Sequence, residues 1–107
     1  MKPKVRKILS ELRAGLDPLY GKRLVNLVLF GSQARGDAVP GSDIDVLVVL
    51  KNHKVEPGKE IARTGKTVTA LSLKYNSVIS CTFVSADRYF REQTPLLLNA
   101  RAEGVTI

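Results

Sequence analysis

The run Leu24-Val25-Asn26-Leu27-Val28-Leu29-Phe30 is nearly all apolar and stops at Gly31-Ser32. Its length and its β-branched content favour a buried strand. Two further runs can pair with it. Asp43 to Leu50 contains Val46, Val48 and Val49, and Val78 to Val84 reads Val-Ile-Ser-Cys-Thr-Phe-Val. Helical patterns fill the intervals. Val5, Ile8, Leu9, Leu12 and Leu16 recur at three- and four-residue spacing, with Pro3 suited to a helix start and Pro18 with Gly21 to its end. Lys59 to Tyr75 predicts a helix with Ile61, Val68, Leu71 and Tyr75 on or near one stripe, and Lys51 to Gly58 a loop before it. Ser85 can cap a short helix containing Tyr89 and Phe90. Thr94-Pro95 opens another, with Leu96, Leu97 and Ala100 on its apolar side and Gly104 at its end. Val105-Thr106-Ile107 can add a last short strand. The order predicts an α/β (α+β) domain, a mixed sheet of about four strands covered by helices.

Composition agrees with one such domain spanning 1–107. The chain is 44% apolar and 25% charged, enough for one modest core. No apolar run approaches the roughly 18 residues of a membrane span. The basic start, Met1-Lys2-Pro3-Lys4-Val5-Arg6-Lys7, lacks the apolar stretch of a signal peptide. Cys81 is the single cysteine, compatible with a reducing cytoplasm. With one histidine, His53 in a polar loop, it cannot close a Cys/His zinc site. Cys81 itself reads as a small buried apolar residue. The net charge of +7 permits an anionic partner without choosing one. Lys2, Lys4, Arg6 and Lys7 cluster on the first helix and fit a solvated face, an acidic-partner surface or a nucleic-acid patch. No aromatic interleaving or base-reading motif accompanies them, so nucleic acid is the least favoured of the three.

The stretch from Phe30 to Val46 carries the chemistry. Gly31 lets a phosphate approach the backbone, and Ser32 can add a hydroxyl and open a short helical turn to Arg35. Asp43 and Asp45 stand two apart on a predicted strand, so both carboxylates share a face while Ile44 turns to the core. Two hard oxygen donors beside a phosphate cradle are what Mg²⁺ needs for phosphoryl chemistry.

Gly31-Ser32, ten residues, then Asp43-Ile44-Asp45 resembles the signature of the polymerase-β-like nucleotidyltransferase superfamily. The fuller text, Gly-Ser-Gln-Ala-Arg-Gly-Asp and Gly-Ser-Asp-Ile-Asp-Val, is similar to its minimal nucleotidyltransferases (MNT). The resemblance implies a nucleotidyltransferase fold, two divalent metal ions and transfer of a nucleoside monophosphate from a triphosphate to a hydroxyl. It assigns metal and catalysis to Asp43 and Asp45 and the triphosphate to Gly31 and Ser32. Arg35 is placed either to meet phosphate or to tie the loop to Asp37 or Asp43. The implied reaction is AMP transfer from ATP, with Mg²⁺, onto a protein hydroxyl. The implied partner is a HEPN-domain protein, with this chain as the antitoxin of a toxin–antitoxin pair. The alternative is a nucleotide-binding module, weak or inactive in catalysis, that neutralises its partner by forming a complex. That alternative rests on a gap, because the superfamily's third carboxylate has no counterpart in Ser77 to Val84. Ser80 or Thr82 stands in its place, and Asp87, three residues beyond the strand, and Glu56, in a loop, are the candidates to reach the site. The Leu96-Leu97-Leu98 run marks a face for self-association or for a partner.

Overall fold

The apolar stripe of the first helix forms α1 (Pro3–Tyr20) in the computed structural model, which describes residues 1–52 and 54–107. The reading of His53 lies outside the described residues. Val5, Ile8, Leu9, Leu12, Leu16 and Tyr20 are the buried members of α1. Pro18 does not end the helix but sits inside its last turn, and the chain leaves at Gly21, whose φ is 55°. A proline so near the end removes one backbone hydrogen bond that fraying would weaken anyway.

After a 3-10 turn at Gly21–Arg23, β1 (Leu24–Phe30) takes the predicted span. The short helix α2 (Ser32–Arg35) and a loop lead to β2 (Ile44–Leu50). Then come α3 (Pro57–Tyr75), β3 (Ile79–Ser85), α4 (Ala86–Arg91), α5 (Pro95–Glu103) and β4 (Val105–Thr106). The sheet order is β3-β2-β1-β4. β1 runs antiparallel to β2 and β4, and β2 runs parallel to β3, so the sheet is mixed as predicted. Ser85 and Thr94 accept hydrogen bonds from Arg88 and Leu97 N–H groups and cap α4 and α5.

Alternation along the strands divides the interior in two. Leu27, Leu29, Val46, Val48 and Phe83 meet α1 and Leu71 of α3 on one face. Val28, Leu47, Val49 and Val84 meet Tyr89 of α4 and Leu97 and Ala100 of α5 on the other. α1 and α3 touch closely, because a Cβ on Gly15 would lie 2.6 Å from Thr67 Cγ2. Cys81 is half-buried against the first core, and burial raises its thiol pKa to about 11. It behaves as the packed apolar residue expected of it. No helix among the described residues is long and apolar enough to cross a membrane.

Two expectations are corrected. α3 begins at Pro57, not Lys59, because proline suits a first helical position. Ile61 lies outside the buried stripe, 57% exposed, while Glu60 is 5% exposed. Tyr20 donates its hydroxyl to Glu60 Oε1 at 2.7 Å and Arg63 pairs with the same oxygen at 3.1 Å, which allows the acid inside. On α4, Phe90 is 60% exposed and meets the buried Tyr89 edge-on.

Leu12 is fully buried under the sheet. Leu12→Ala is expected to cost about 3 kcal/mol in urea unfolding, whereas Ile61→Ala changes stability by less than about 0.5 kcal/mol. Equal effects would contradict the placement of α3.

Candidate active site

At the end of β1 the chain turns sharply. Gly31 holds φ 74° and ψ −156°, a conformation essentially limited to glycine. A Cβ there would come within 2.6 Å of Asp45 Oδ2. The missing side chain therefore makes the space that the Asp45 carboxylate occupies. Asp45 is held there by its strand, opposite Phe30 on β1 and Ser80 on β3. Ile44 is buried in the first core, so Asp45 turns to the other side, as the alternation requires. Asp43 precedes the strand by one residue and is exposed.

The Asp45 carboxyl is pushed above the usual carboxylate range, first by burial and then by the charge of Asp43, with Arg35 acting in the opposite sense. Asp43 and Arg35 are thus both within electrostatic reach of Asp45. Arg35 takes the tying role among those open to it. Its Nε donates to Asp37 Oδ2 at 3.2 Å, and Nη1 lies 3.7 Å from Glu103 Oε2 of α5. Both pairs are exposed and weak. In α2 the Ala34 and Arg35 N–H groups both donate to Gly31 O at 3.1 Å, which leaves those of Ser32 and Gln33 with no acceptor within the turn, and no side chain caps it. Gln33 Nε2 donates to Ser42 O at 3.5 Å, and Val39 N–H donates to Ser42 Oγ at 3.0 Å, which shapes the loop leading to Asp43.

The parallel register decides the question of a third acid. Ser80 stands beside Asp45 on the same face, followed by Thr82. Asp87 and Glu56 both lie beyond the Leu50/Ser85 end of the strands. That end is roughly 17 Å along β2 from Asp45. Asp87 pairs with Arg91 and Glu56 with Lys59. Among the described residues no group of three His, Cys, Asp or Glu side chains converges as a metal site. A hard cation at Asp43 and Asp45 would therefore take its remaining oxygens from a bound ligand and water, which is the habit of Mg²⁺ with phosphates. The donor set fits Mg²⁺ on those terms. Two residues at the site escaped sequence reasoning. Glu103 reaches Arg35 only through the packing of α5, and Gln33 carries no signal beyond its place in the turn.

A model of the nucleotidyltransferase domain matches residues 3–93, from the start of α1 through α4. The chain belongs to the nucleotidyltransferase domain family. It is 35% identical over 74 residues to the "Putative protein adenylyltransferase MJ0141" of Methanocaldococcus jannaschii, covering 69% of this chain and 73% of that protein. Among solved structures it is similar in fold to a putative nucleotidyltransferase from Sulfolobus solfataricus, with a TM-score of 0.69 and 19% identity over 96% of this chain and 80% of that one. It is also similar to a toxin–antitoxin structure with AMP-PNP, with a TM-score of 0.63 and 20% identity over 95% of this chain and 70% of that one. The likeness to minimal nucleotidyltransferases drawn from Gly31-Ser32 and Asp43-Ile44-Asp45 holds, and the matched domain contains both.

Two outcomes follow from this geometry. Gly31→Ala adds a methyl group against Asp45 in a glycine-only conformation, at about 1–3 kcal/mol for the backbone alone. Thermal unfolding should show that loss. Asp45 gives a pH signature. Its folded pKa is raised, so between the unfolded and folded values the native state binds more protons, and stability falls as pH rises through that window. At neutral pH the charged carboxylate is a net cost. Asp45→Asn should therefore melt higher than the wild type at pH 7, and the difference should vanish below the ordinary carboxylate range. A variant that melts lower at pH 7 would contradict it.

Proposed function

We propose that this chain transfers AMP from ATP to a hydroxyl of a partner protein. Asp43 and Asp45 hold Mg²⁺ in this reading, and Gly31, Ser32 and Arg35 receive the triphosphate. The observation that carries it is the Asp45 carboxylate set into the space at Gly31, with Asp43 beside it. The strand end and the turn are thereby aimed at one point. The adenylyltransferase name of the 35%-identical relative and the AMP-PNP in the toxin–antitoxin neighbour support adenylate as the group transferred. The same neighbour supports a toxin as the partner, with this chain as its antitoxin in the cytoplasm. The MNT resemblance makes that partner a HEPN-domain protein.

Bound Mg²⁺ would neutralise phosphate charge and draw the triphosphate against the two carboxylates. The chain's own groups then position and neutralise. The Gly31 turn brings the phosphates to the backbone, and the Ser32 hydroxyl and the N–H groups of Ser32 and Gln33 offer donors. Arg35 can exchange its exposed pairs with Asp37 and Glu103 for phosphate oxygens. The acceptor oxygen bonds the α-phosphorus as the bond to the β-phosphate oxygen breaks. Pyrophosphate leaves, and the hydroxyl proton passes to solvent. No nucleophile of the enzyme is needed.

Ser80 in place of an acid favours a slow reaction, and it keeps a second reading in view. In that reading the chain binds nucleotide and silences its partner by complex formation alone. Intact-mass spectrometry separates the two. With partner, ATP and Mg²⁺, the partner gains one or more AMP masses, and Asp43→Asn with Asp45→Asn abolishes the gain. An unchanged mass, with wild type and double variant silencing the partner equally, leaves the binding reading.

A further inference from the structure

The N-terminus of α1, the C-terminus of α3 and the loop before Asp43 enclose a groove of about 500 Å³. Ser42 and Ile44, the neighbours of Asp43 on either side, both line it, so the groove reaches the strand end at Asp43 from the α1 side, opposite the face to which Asp45 turns. Three aliphatic side chains that line it are exposed, Val39 at 67%, Leu73 at 78% and Val78 at 59%. Neither the fold nor the transfer chemistry uses them. Grouped exposed apolar side chains of this kind mark contact surfaces. Among the described residues the charged ones that line the groove are Lys2 and Lys4, and none is an acid.

We propose that this groove seats an extended acidic–apolar segment of the acceptor protein and leads its hydroxyl past Ser42 to Asp43. The proposal rests on the transferase reading above and adds to it the side from which the acceptor comes. Charge complementarity chooses an acidic occupant, with apolar side chains against Val39, Leu73 and Val78. The same aliphatic lining argues against a nucleic-acid strand, because single strands are gripped by aromatic platforms on which bases stack. A basic or wholly polar segment would leave the lysines or the aliphatic residues unmatched.

The test is an NMR titration of the ¹⁵N-labelled full chain. The probe is a synthetic peptide, Glu-Glu-Leu-Tyr-Leu-Glu, compared with Lys-Lys-Leu-Tyr-Leu-Lys and with a short oligo-dT. The acidic peptide should move the amides of Val39, Gly41, Ser42, Leu73, Asn76 and Ser77. It should bind at least about tenfold more tightly than the basic one, a difference of about 1.4 kcal/mol. Binding should weaken with salt. Lys2→Glu with Lys4→Glu, and separately Leu73→Asp, should each lower the affinity several-fold. All three positions are exposed, and an acid at the start of α1 suits the helix dipole, so the variants keep the fold. Shifts elsewhere, equal binding of both peptides, preference for oligo-dT, variants that bind like wild type, or no binding would each overturn the proposal. A parallel titration with ATP and Mg²⁺ reads Gly31 and Ser32. Its failure counts against the transferase reading, while the peptide data judge the groove on their own.

Discussion

The antiparallel register of β1 against β2 is the constraint on which the rest of the molecule depends. It pairs Leu27 with Val48, Val28 with Leu47, Leu29 with Val46 and Phe30 with Asp45. Odd and even positions of these strands feed different cores, one under α1 and α3, the other under α4 and α5. A slip of one residue would exchange the faces, sending Asp45 towards α1 and Ile44 towards solvent. The pairing that sorts the apolar side chains is thus the same pairing that sets the carboxylate beside Gly31. The other elements are cover, and the Leu and Ile side chains of α1 supply much of it.

Much of this was legible in the sequence, because local signals and global packing agree along most of the chain. β1 is a nearly continuous apolar run, α1 an uninterrupted stripe, and Ser85, Thr94, Pro95 and Gly104 punctuate as their chemistry dictates. Where reading failed, a distant partner had overruled the local pattern. Ile61 looks like a core residue and Glu60 does not, yet Tyr20, forty residues earlier, holds Glu60 inside. Nothing in the run from 57 to 75 reports that hydroxyl. The helix consequently turns to present Glu60, Thr64 and Leu71 to the interior, and Ile61 is left outside.

The site follows the same rule. Gly31, Ser32, Asp43 and Asp45 were readable because turn chemistry and period-2 alternation are local properties. Arg35 was readable only as a pair of alternatives, of which the tie to Asp37 is present, while its second partner Glu103 is brought near by the docking of α5. The missing acid was readable only as an absence. Without the β2–β3 register, Asp87 and Glu56 remained candidates, and pairing Leu50 with Ser85 puts both at the wrong end of the sheet.

The electrostatics of Asp45 bear on the choice between transfer and binding. Burial and the neighbouring Asp43 both disfavour its charged form, and only Arg35 opposes them. The folded chain therefore carries a carboxylate that costs stability at neutral pH. A chain whose sole task was to cover a partner could use the groove beside α1 for that purpose. It would have no use for two like charges two residues apart at one strand end, and an amide at position 45 would serve its fold better. The arrangement makes physical sense when a cation and a phosphate complete it, because the same two charges that repel each other then share one positive ion. In the proposed transfer, Ser80 in place of an acid slows the reaction. It does not remove the reason for Asp43 and Asp45 to be held together.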